Sequence, residues 1–178
     1  MKPEETVEVL FTAEQIDARI MELAEEINNE YGEEPITLIG ALSGGVMFLS
    51  DLARKLGNNV TIDFIRASSY GDSTVSGGTV HLDTSPRLPL GGKNVIIVED
   101  IIDTGHTITY LRKHLKNIGA THVKVCALLD KPSRRVIMEA KADYTGFVIE
   151  DKFVVGYGLD YAQRYRNLPY IGILSFNE

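Results

Sequence analysis

Cysteine is almost absent from this 178-residue sequence: Cys126 is the only one, so no internal disulfide can form. Cys126 lies in the apolar run 123–129, where we expect it to behave as a small buried hydrophobe. This cysteine usage agrees with a reducing compartment, and we expect a cytoplasmic protein.

Long apolar runs are also missing. No stretch approaches the roughly 20 apolar residues of a membrane-spanning helix, and residues 1–5 contain no apolar signal core. We therefore expect neither a membrane partner nor export. The signatures G-x-x-x-x-G-K-[ST] and G-x-G-x-x-G are absent as well, which argues against the nucleotide-binding folds that carry them.

Positive charge is in deficit. The chain has 18 Lys and Arg against 25 Asp and Glu, a formal net charge of −7. Bulk nucleic-acid binding relies on an excess of basic residues, so we expect no nucleic-acid partner. A small phosphate-bearing ligand stays possible, because a local nest of N–H groups or a bound metal ion can override the global sign.

The clearest positive feature is an alternation of apolar strands with amphipathic helices. The hydrophobic content is 44%, as in an ordinary globular protein, and the length favours one domain. The alternation predicts an α/β fold with a mostly parallel twisted sheet flanked by helices. The predicted strands cover 7–10, 36–42, 60–64, 79–82, 94–98, 123–129, 146–149, 153–155 and 170–174. The predicted helices cover 13–31 after a Thr12 cap, 46–56 and 107–118.

The most informative segment is 95–107. Its apolar strand ends in the adjacent carboxylates Glu99 and Asp100, and Asp103 follows before a small-residue turn that opens a helix. Carboxylates accept hydrogen bonds from sugar hydroxyls, and free amide N–H groups at a helix start bind phosphate. The layout therefore predicts a sugar-phosphate site.

Two other strand ends carry polar or glycine residues. Ser43, Gly44 and Gly45 follow the strand 36–42, and Asp130 and Lys131 follow the strand 123–129. In an open parallel sheet, ligands bind beyond the carboxyl ends of the strands. We therefore expect these loops to converge with the 99–107 segment on one edge of the sheet.

The segment 68–78 is polar, rich in Gly and Ser, and lacks a core-facing stripe. We predict a mobile loop there. A lid that closes over the site is one hypothesis, and a merely disordered loop is the other.

These motifs, taken together and in order, resemble the type I phosphoribosyltransferase family. The segment 95–107 resembles its phosphoribosyl-diphosphate (PRPP) motif, and further matches point to the hypoxanthine-guanine branch. Those matches are Leu42-Ser43-Gly44-Gly45, Ser69-Tyr70-Gly71, Leu128-Leu129-Asp130-Lys131-Pro132, the run from Phe153 to Tyr161, and Arg166. The resemblance implies one domain over 1–178, with a core of roughly 34–145 and a small hood formed by roughly 1–12 and 146–178. It also implies a cis peptide between Leu42 and Ser43.

The resemblance implies transfer of the 5-phosphoribosyl group from PRPP to a 6-oxopurine base, giving a purine nucleotide and diphosphate, with Mg²⁺ as cofactor. A homodimer or homotetramer is also expected. The implied PRPP- and nucleotide-binding residues are Ser43, Gly44, Gly45, Ser69, Tyr70, Glu99, Asp100, Asp103, Thr104, Gly105, His106, Thr107 and Arg166. The implied purine-binding residues are Lys131, Phe153, Val154 and Asp160. The implied metal-binding residues are Glu99, Asp100 and Asp160.

Asp103 is implied as the general base that takes a proton from the purine imidazole. Each role has a plainer alternative: Asp103 as a helix N-cap, Lys131 as an exposed turn lysine, and Phe153 as part of a core strand. At the level of function, the alternatives are a non-catalytic nucleotide-sensing or RNA-binding regulator and an enzyme that prefers xanthine or a pyrimidine.

Overall fold

The computed structural model describes residues 4–57, 59–70 and 79–177. Within these ranges the strands are β1 Glu4–Phe11, β2 Ile36–Leu42, β3 Val60–Tyr70, β4 Thr79–Thr84, β5 Asn94–Ile102, β6 His122–Asp130, β7 Tyr144–Val148, β8 Val154–Val155 and β9 Ile171–Asn177. The helices are α1 Ala13–Tyr31, α2 Val46–Lys55 and α3 His106–Asn117, and a short 3₁₀ turn spans Pro132–Arg134. None of these helices combines the length and apolarity that crossing a membrane requires.

The main sheet has six strands in the order β4-β3-β2-β5-β6-β7. Every neighbouring pair is parallel except β3 and β4, which are antiparallel. The predicted mostly parallel α/β architecture is therefore confirmed. Since β2, β5 and β6 are adjacent and parallel, their carboxyl ends lie at the same edge of the sheet.

Apolar side chains fill both faces of this sheet, as near-continuous apolar strands require. On one face, α1 and α2 pack over residues such as Leu38, Ile96 and Leu128. On the other face, α3 packs over Ile39 and Ile97. Cys126 is fully buried, as predicted, and burial raises the pKa of its thiol.

The start of α1 has the reciprocal cap that the sequence predicts. The Thr12 hydroxyl oxygen accepts a hydrogen bond from the Gln15 amide at 3.3 Å, and the Gln15 side-chain oxygen accepts one from the Thr12 amide at 2.9 Å. The helix ends at Tyr31, before Gly32, whose positive φ of 56° suits glycine.

A second, antiparallel sheet has the order β1-β9-β8. Phe11, the last residue of β1, stacks on Phe147 of β7 with ring centroids 4.0 Å apart, which joins the two sheets. Helix α1 also packs on the main sheet, and β7 continues that sheet to Val148. The division into a core of roughly 34–145 and a hood stays a prediction.

Most predicted strand limits differ from the observed ones by a few residues, and three boundaries close to the strand ends were wrong in ways that matter for the site. Residues 68–70, predicted as loop, belong to β3, because Ser68, Ser69 and Tyr70 pair with β4. The strand predicted over 94–98 continues to Ile102, which pairs with Asp130 of β6. The third helix begins one residue earlier than predicted, at His106. The rest of the predicted loop, 71–78, lies outside the described residues.

Candidate active site

The carboxylate of Asp100 lies directly against the loop that follows β2. A Cβ atom built on Gly44 would overlap Asp100 Oδ2, so only glycine leaves room for this carboxylate. A Cβ on Gly45 would lie 3.0 Å from the carbonyl oxygen of Val98, which also belongs to β5. The Leu42–Ser43 peptide is cis, as expected. The loop after β2 and the acidic pair on β5 therefore meet, as the strand order requires.

The segment 156–166 covers the same place from the other side. A Cβ on Gly158 would overlap the carbonyl oxygen of Gly44. The Arg166 guanidinium donates to the Gly158 carbonyl at 2.6 Å and pairs with Asp160 Oδ1 at 2.7 Å. Asp160 Oδ2 accepts from the Gln163 amide at 2.8 Å. Gly158 is thereby brought beside Gly44, and Arg166 is held next to Gly158.

The turn into α3 is formed by the backbone conformation of Gly105 and not by a side-chain cap. Its N-cap is Gly105, in the left-handed region with φ 92°, and no side chain caps the helix. The alternative reading of Asp103 as the N-cap is therefore wrong. A Cβ on Gly105 would lie 2.6 Å from the Ala140 Cβ, so glycine is required for packing as well as for φ. The first amide groups of α3, beginning at His106 and Thr107, have no intrahelical partner and can bind an anion.

A cleft of about 330 Å³ opens beside this turn. It brings together residues from the ends of β5 and β6 and from the segment 151–160: Ile101, Asp103, Lys131, Arg134, Asp151, Lys152, Phe153, Val154, Leu159 and Asp160. Five of them, Asp103, Lys131, Phe153, Val154 and Asp160, were predicted from the sequence. A larger depression of about 630 Å³ lies on the outer face of α1, but its lining carries four acidic side chains and no basic one, which suits no phosphate-bearing ligand.

Lys131 is buried in this cleft, with 8% of its surface exposed. Its ammonium group donates to the carbonyl oxygen of Lys152 at 2.5 Å and lies 3.9 Å from Asp151 Oδ1. The alternative of an exposed turn lysine is therefore wrong. A buried ammonium group held by a carbonyl and a carboxylate has a fixed position from which to donate to a ligand.

The aromatic residue of the cleft is Phe153, which is 51% exposed. The alternative of a core strand therefore fails for Phe153 and holds only for Val154 and Val155, which are buried. The Phe153 and Tyr161 rings pack in a T-shaped pair with centroids 5.7 Å apart, which limits the movement of the Phe153 ring. An exposed, laterally supported ring offers a face for stacking.

Asp103 faces a cation across the same cleft. Arg134 Nε donates to Asp103 Oδ1 at 3.2 Å, and Arg134 Nη1 lies 3.7 Å from Asp151 Oδ2. Arg134, Asp151 and Lys152 were missed by the sequence analysis. The basic doublet at 134–135, close after Lys131, is the sequence signal that could have identified Arg134.

The half-buried pair Glu99 and Asp100 places two carboxyl groups side by side. Burial raises the pKa of Glu99 well above its usual range, and the charge of Asp100 raises it further. Burial also raises the pKa of Asp100, opposed by hydrogen bonds such as the 2.8 Å bond from the Ile101 amide. Among the described residues, the buried oxygen Glu99 Oε2 has no hydrogen-bond partner.

This donor set fits a divalent cation such as Mg²⁺. A buried carboxylate oxygen without a partner, beside a second carboxylate, is favoured by a positive charge, and Mg²⁺ prefers oxygen ligands. No group of three potential protein ligands occurs in the described part of the chain. Water and substrate oxygens would therefore complete the coordination.

Ser69 and Tyr70 are placed only by their backbone pairing with β4, and their side chains lie outside the described part. Ser43 is exposed on the loop after β2, and Thr104, His106 and Thr107 are half-buried around the turn. Of the described side chains, those of Ser43, Thr104, His106 and Thr107 do not line the 330 Å³ cleft.

Replacing Glu99 with glutamine should change how stability depends on pH. Between the ordinary glutamate pKa and the raised pKa of Glu99, the folded protein holds a proton that the unfolded chain releases. Stability of the metal-free wild type should therefore fall as pH rises through this window. Glu99→Gln should lose less stability than wild type between pH 5 and pH 8, as measured by urea unfolding with a chelator present. Glu25→Gln, at an exposed position on α1, is the control and should follow the wild type. Equal pH slopes in all three proteins would contradict the assignment.

Comparison with known proteins gives a consistent result. The sequence profile of the phosphoribosyl transferase domain matches residues 7–162. A hypoxanthine-guanine phosphoribosyltransferase of Bacillus subtilis is 44% identical over 94% of this chain and 92% of its own length. A bifunctional TilS/HprT protein of Listeria monocytogenes is 45% identical over 94% of this chain, which spans only 26% of that protein's length.

A solved structure agrees with the sequence relatives. The crystal structure of a hypoxanthine-guanine phosphoribosyltransferase from Bacillus anthracis has a TM-score of 0.89 and 42% sequence identity, and the match covers 97% of this chain and 100% of that one. The sheet edge described above thus occurs on a fold shared with close relatives. The chain belongs to the phosphoribosyltransferase family.

Proposed function

We propose that this protein is a purine-salvage enzyme that transfers the 5-phosphoribosyl group from PRPP to hypoxanthine or guanine, giving inosine or guanosine monophosphate and diphosphate. The observation that carries the proposal is one cleft lined by both Asp103 and Lys131, next to the acidic pair and the turn into α3. The name of the 44% identical Bacillus subtilis relative supports the choice of bases.

The base occupies the 330 Å³ cleft. Phe153 stacks on the purine face, since its ring is exposed and supported from the side by Tyr161. Lys131 donates to the 6-oxo group, which selects hypoxanthine and guanine over adenine, because an exocyclic amine cannot accept this bond. The backbone of Val154 and the Asp160 region meet the remaining base edge.

The ribose 5-phosphate lies along the end of β5. Glu99 and Asp100 accept hydrogen bonds from the ribose hydroxyls or reach them through Mg²⁺. Thr104, Gly105, His106 and Thr107 wrap the 5′-phosphate with backbone amides, and the positive end of α3 adds a favourable dipole.

The diphosphate lies between the loop after β2 and the segment 156–166. Ser43 and Gly44 present backbone amides, and Arg166 supplies positive charge. The Gly45 amide donates to the Ala41 carbonyl oxygen at 3.2 Å, so Gly45 holds the loop in place beside the diphosphate. The predicted contacts of Ser69 and Tyr70 with the diphosphate fall on side chains outside the described residues and stay predictions.

Mg²⁺ would be held by Glu99 and Asp100, and by Asp160 near the diphosphate. The Asp160 carboxylate oxygens accept from Arg166 and Gln163, and each oxygen keeps capacity for a further ligand. When bound, the ion supplies charge neutralisation for the leaving diphosphate.

Asp103 acts as the general base. As the bond between the ribose carbon and diphosphate breaks, positive charge develops on the sugar and a purine nitrogen forms the new bond to that carbon. The imidazole proton of the purine passes to the Asp103 carboxylate, and the bond electrons leave with diphosphate. Arg134, 3.2 Å from Asp103 Oδ1, orients the carboxylate in the cleft.

The location and assembly of the protein stay predictions. We expect a cytoplasmic protein, in line with a single buried cysteine, and a homodimer or homotetramer. Sedimentation of the purified protein distinguishes these states from a monomer.

The function is tested by incubating the purified protein with PRPP, Mg²⁺ and one base at a time, and following absorbance. Hypoxanthine and guanine should react, and adenine should not. Turnover restricted to xanthine or to a pyrimidine would overturn the choice of bases. Binding of nucleotide without turnover of any base would favour the regulator.

Asp103→Asn tests the general base. The variant keeps size and hydrogen bonding but loses the proton acceptor, so kcat at neutral pH should fall by roughly 10²–10⁴-fold with hypoxanthine. Asp17→Asn, on the exposed side of α1, is the matched control and should keep wild-type kcat. Unchanged turnover of Asp103→Asn would exclude the role.

Gly44→Ala tests the contact between the two loops. The added methyl group would overlap the Asp100 carboxylate and displace it from the ribose site. We expect kcat/KM for PRPP to fall by at least about 10²-fold, since small misplacements of positioning groups have effects of this size. Gly91→Ala is the same substitution where a Cβ meets no atom within 4 Å, and its kinetics should match the wild type. Equal activity of both variants would refute the close contact.

A further inference from the structure

We propose that Arg135 is a positioning residue that sets the distance between the two cleft residues Asp103 and Lys131. This inference rests on the proposed function, in which both residues act on the same purine. Arg135 itself does not line the cleft.

The guanidinium of Arg135 joins the ends of two neighbouring strands. Its side chain is 5% exposed. Nε donates to the carbonyl oxygen of Asp103 at 2.9 Å, and Nη2 donates to that of Ile102 at 3.4 Å, both at the end of β5. Nη2 also pairs with the carboxylate of Asp130, the residue before Lys131 on β6. One buried cation thus connects the backbone that carries Asp103 to the residue next to Lys131.

Backbone bonds from the same segment hold the turn that follows Asp103. The amides of Val136 and Ile137 donate to the carbonyl oxygen of Thr104 at 3.0 and 3.1 Å. Arg135 Nη1 donates to the carbonyl oxygen of Ala140, which closes the segment around its own side chain. A Cβ on Gly105 would lie 3.2 Å from Arg135 Cδ and 2.6 Å from Ala140 Cβ. The segment 135–140 therefore forms a fixed support under the turn.

Arginine suits this position because its planar fork presents five N–H donors in fixed directions. Here the fork serves three carbonyl oxygens and one carboxylate. The single ammonium of a lysine keeps the charge next to Asp130 but cannot reach all of these acceptors from one point. Arg135→Lys therefore separates the geometry of the fork from its charge.

The consequence is catalytic. Lys131 fixes the 6-oxo end of the base, and Asp103 must then meet the imidazole proton of that base within hydrogen-bond distance. If the end of β5 shifts relative to β6, the two contacts cannot be made together. Misplacement by about 1 Å is enough to lower turnover by about 10²-fold.

The experiment compares Arg135→Lys with Arg112→Lys. Arg112 also pairs with an aspartate, Asp143, is half-buried, and does not line the cleft, so it reports the general cost of losing a structural arginine. Thermal unfolding, steady-state kinetics with hypoxanthine, and amide hydrogen exchange of residues 103–107 are measured for both variants and the wild type.

We expect Arg135→Lys to lower kcat by about 10- to 100-fold, to raise KM for hypoxanthine, and to speed amide exchange at 103–107. Arg112→Lys should show a comparable loss of thermal stability with wild-type kinetics and exchange at these amides. In Arg135→Ala, added guanidinium should restore part of the lost activity. Wild-type kcat and KM in Arg135→Lys, or equal losses in both lysine variants, would overturn the inference.

The exchange measurement separates this inference from the proposed function. If the wild type transfers no phosphoribosyl group, the proposed function fails, and faster exchange at 103–107 in Arg135→Lys alone would still support the positioning role. Unchanged exchange at these amides would refute that role whether or not the wild type is active. If Arg135→Ala does not fold, the comparison of Arg135→Lys with Arg112→Lys alone tests the positioning role.

Discussion

The site depends on the parallel pairing of β2, β5 and β6. Adjacent parallel strands end at one edge, and this brings the loop at Gly44, the acidic pair on β5 and Lys131, which follows β6, within one small region. The close approach of the Asp100 carboxylate to the backbone of Gly44 follows directly from the pairing of β2 with β5. Without the sheet, these residues would be separated by tens of positions of flexible chain.

This arrangement places the carboxyl groups of Glu99 and Asp100 next to each other, with too few hydrogen-bond donors around them. Burial raises the pKa of both Glu99 and Asp100, the charge of Asp100 raises that of Glu99 further, and Glu99 Oε2 lacks a partner among the described residues. The surroundings partly compensate, since Arg166 lowers the pKa of Asp100. A ligand that brings hydroxyl donors and a cation would offset the remaining cost of ionising these two carboxyl groups. The unfavourable electrostatics of the free site therefore favour ligand binding.

In the cleft, ion pairs between charged side chains fix the positions of the residues that face the ligand. Lys131 is fixed by the Lys152 carbonyl and Asp151, while Arg134 connects Asp151 to Asp103. Exposed ion pairs contribute little to stability. Their role here lies in orientation, because they constrain side chains that face the same ligand. Arg135 extends this principle to the backbone beneath the cleft.

The sequence by itself determined the alternation of strands and helices, the cap of α1 at Thr12, and the acidic motif at the end of β5. These features follow from local periodicity and from residue chemistry within a few positions, which a sequence displays directly. Strand limits were predicted less well: β3 and β5 run further than their apolar patterns, because pairing with neighbouring strands extends them.

Only the tertiary structure decided which distant residues share the site. Asp103 is not a helix cap because Gly105 takes that position, and Lys131 is buried because the segment 151–153 folds over it. Arg134 and Arg135 appear in the sequence as an ordinary basic doublet. Their partners, Asp103 and Asp130, are assigned by long-range packing, which no local pattern of residues encodes.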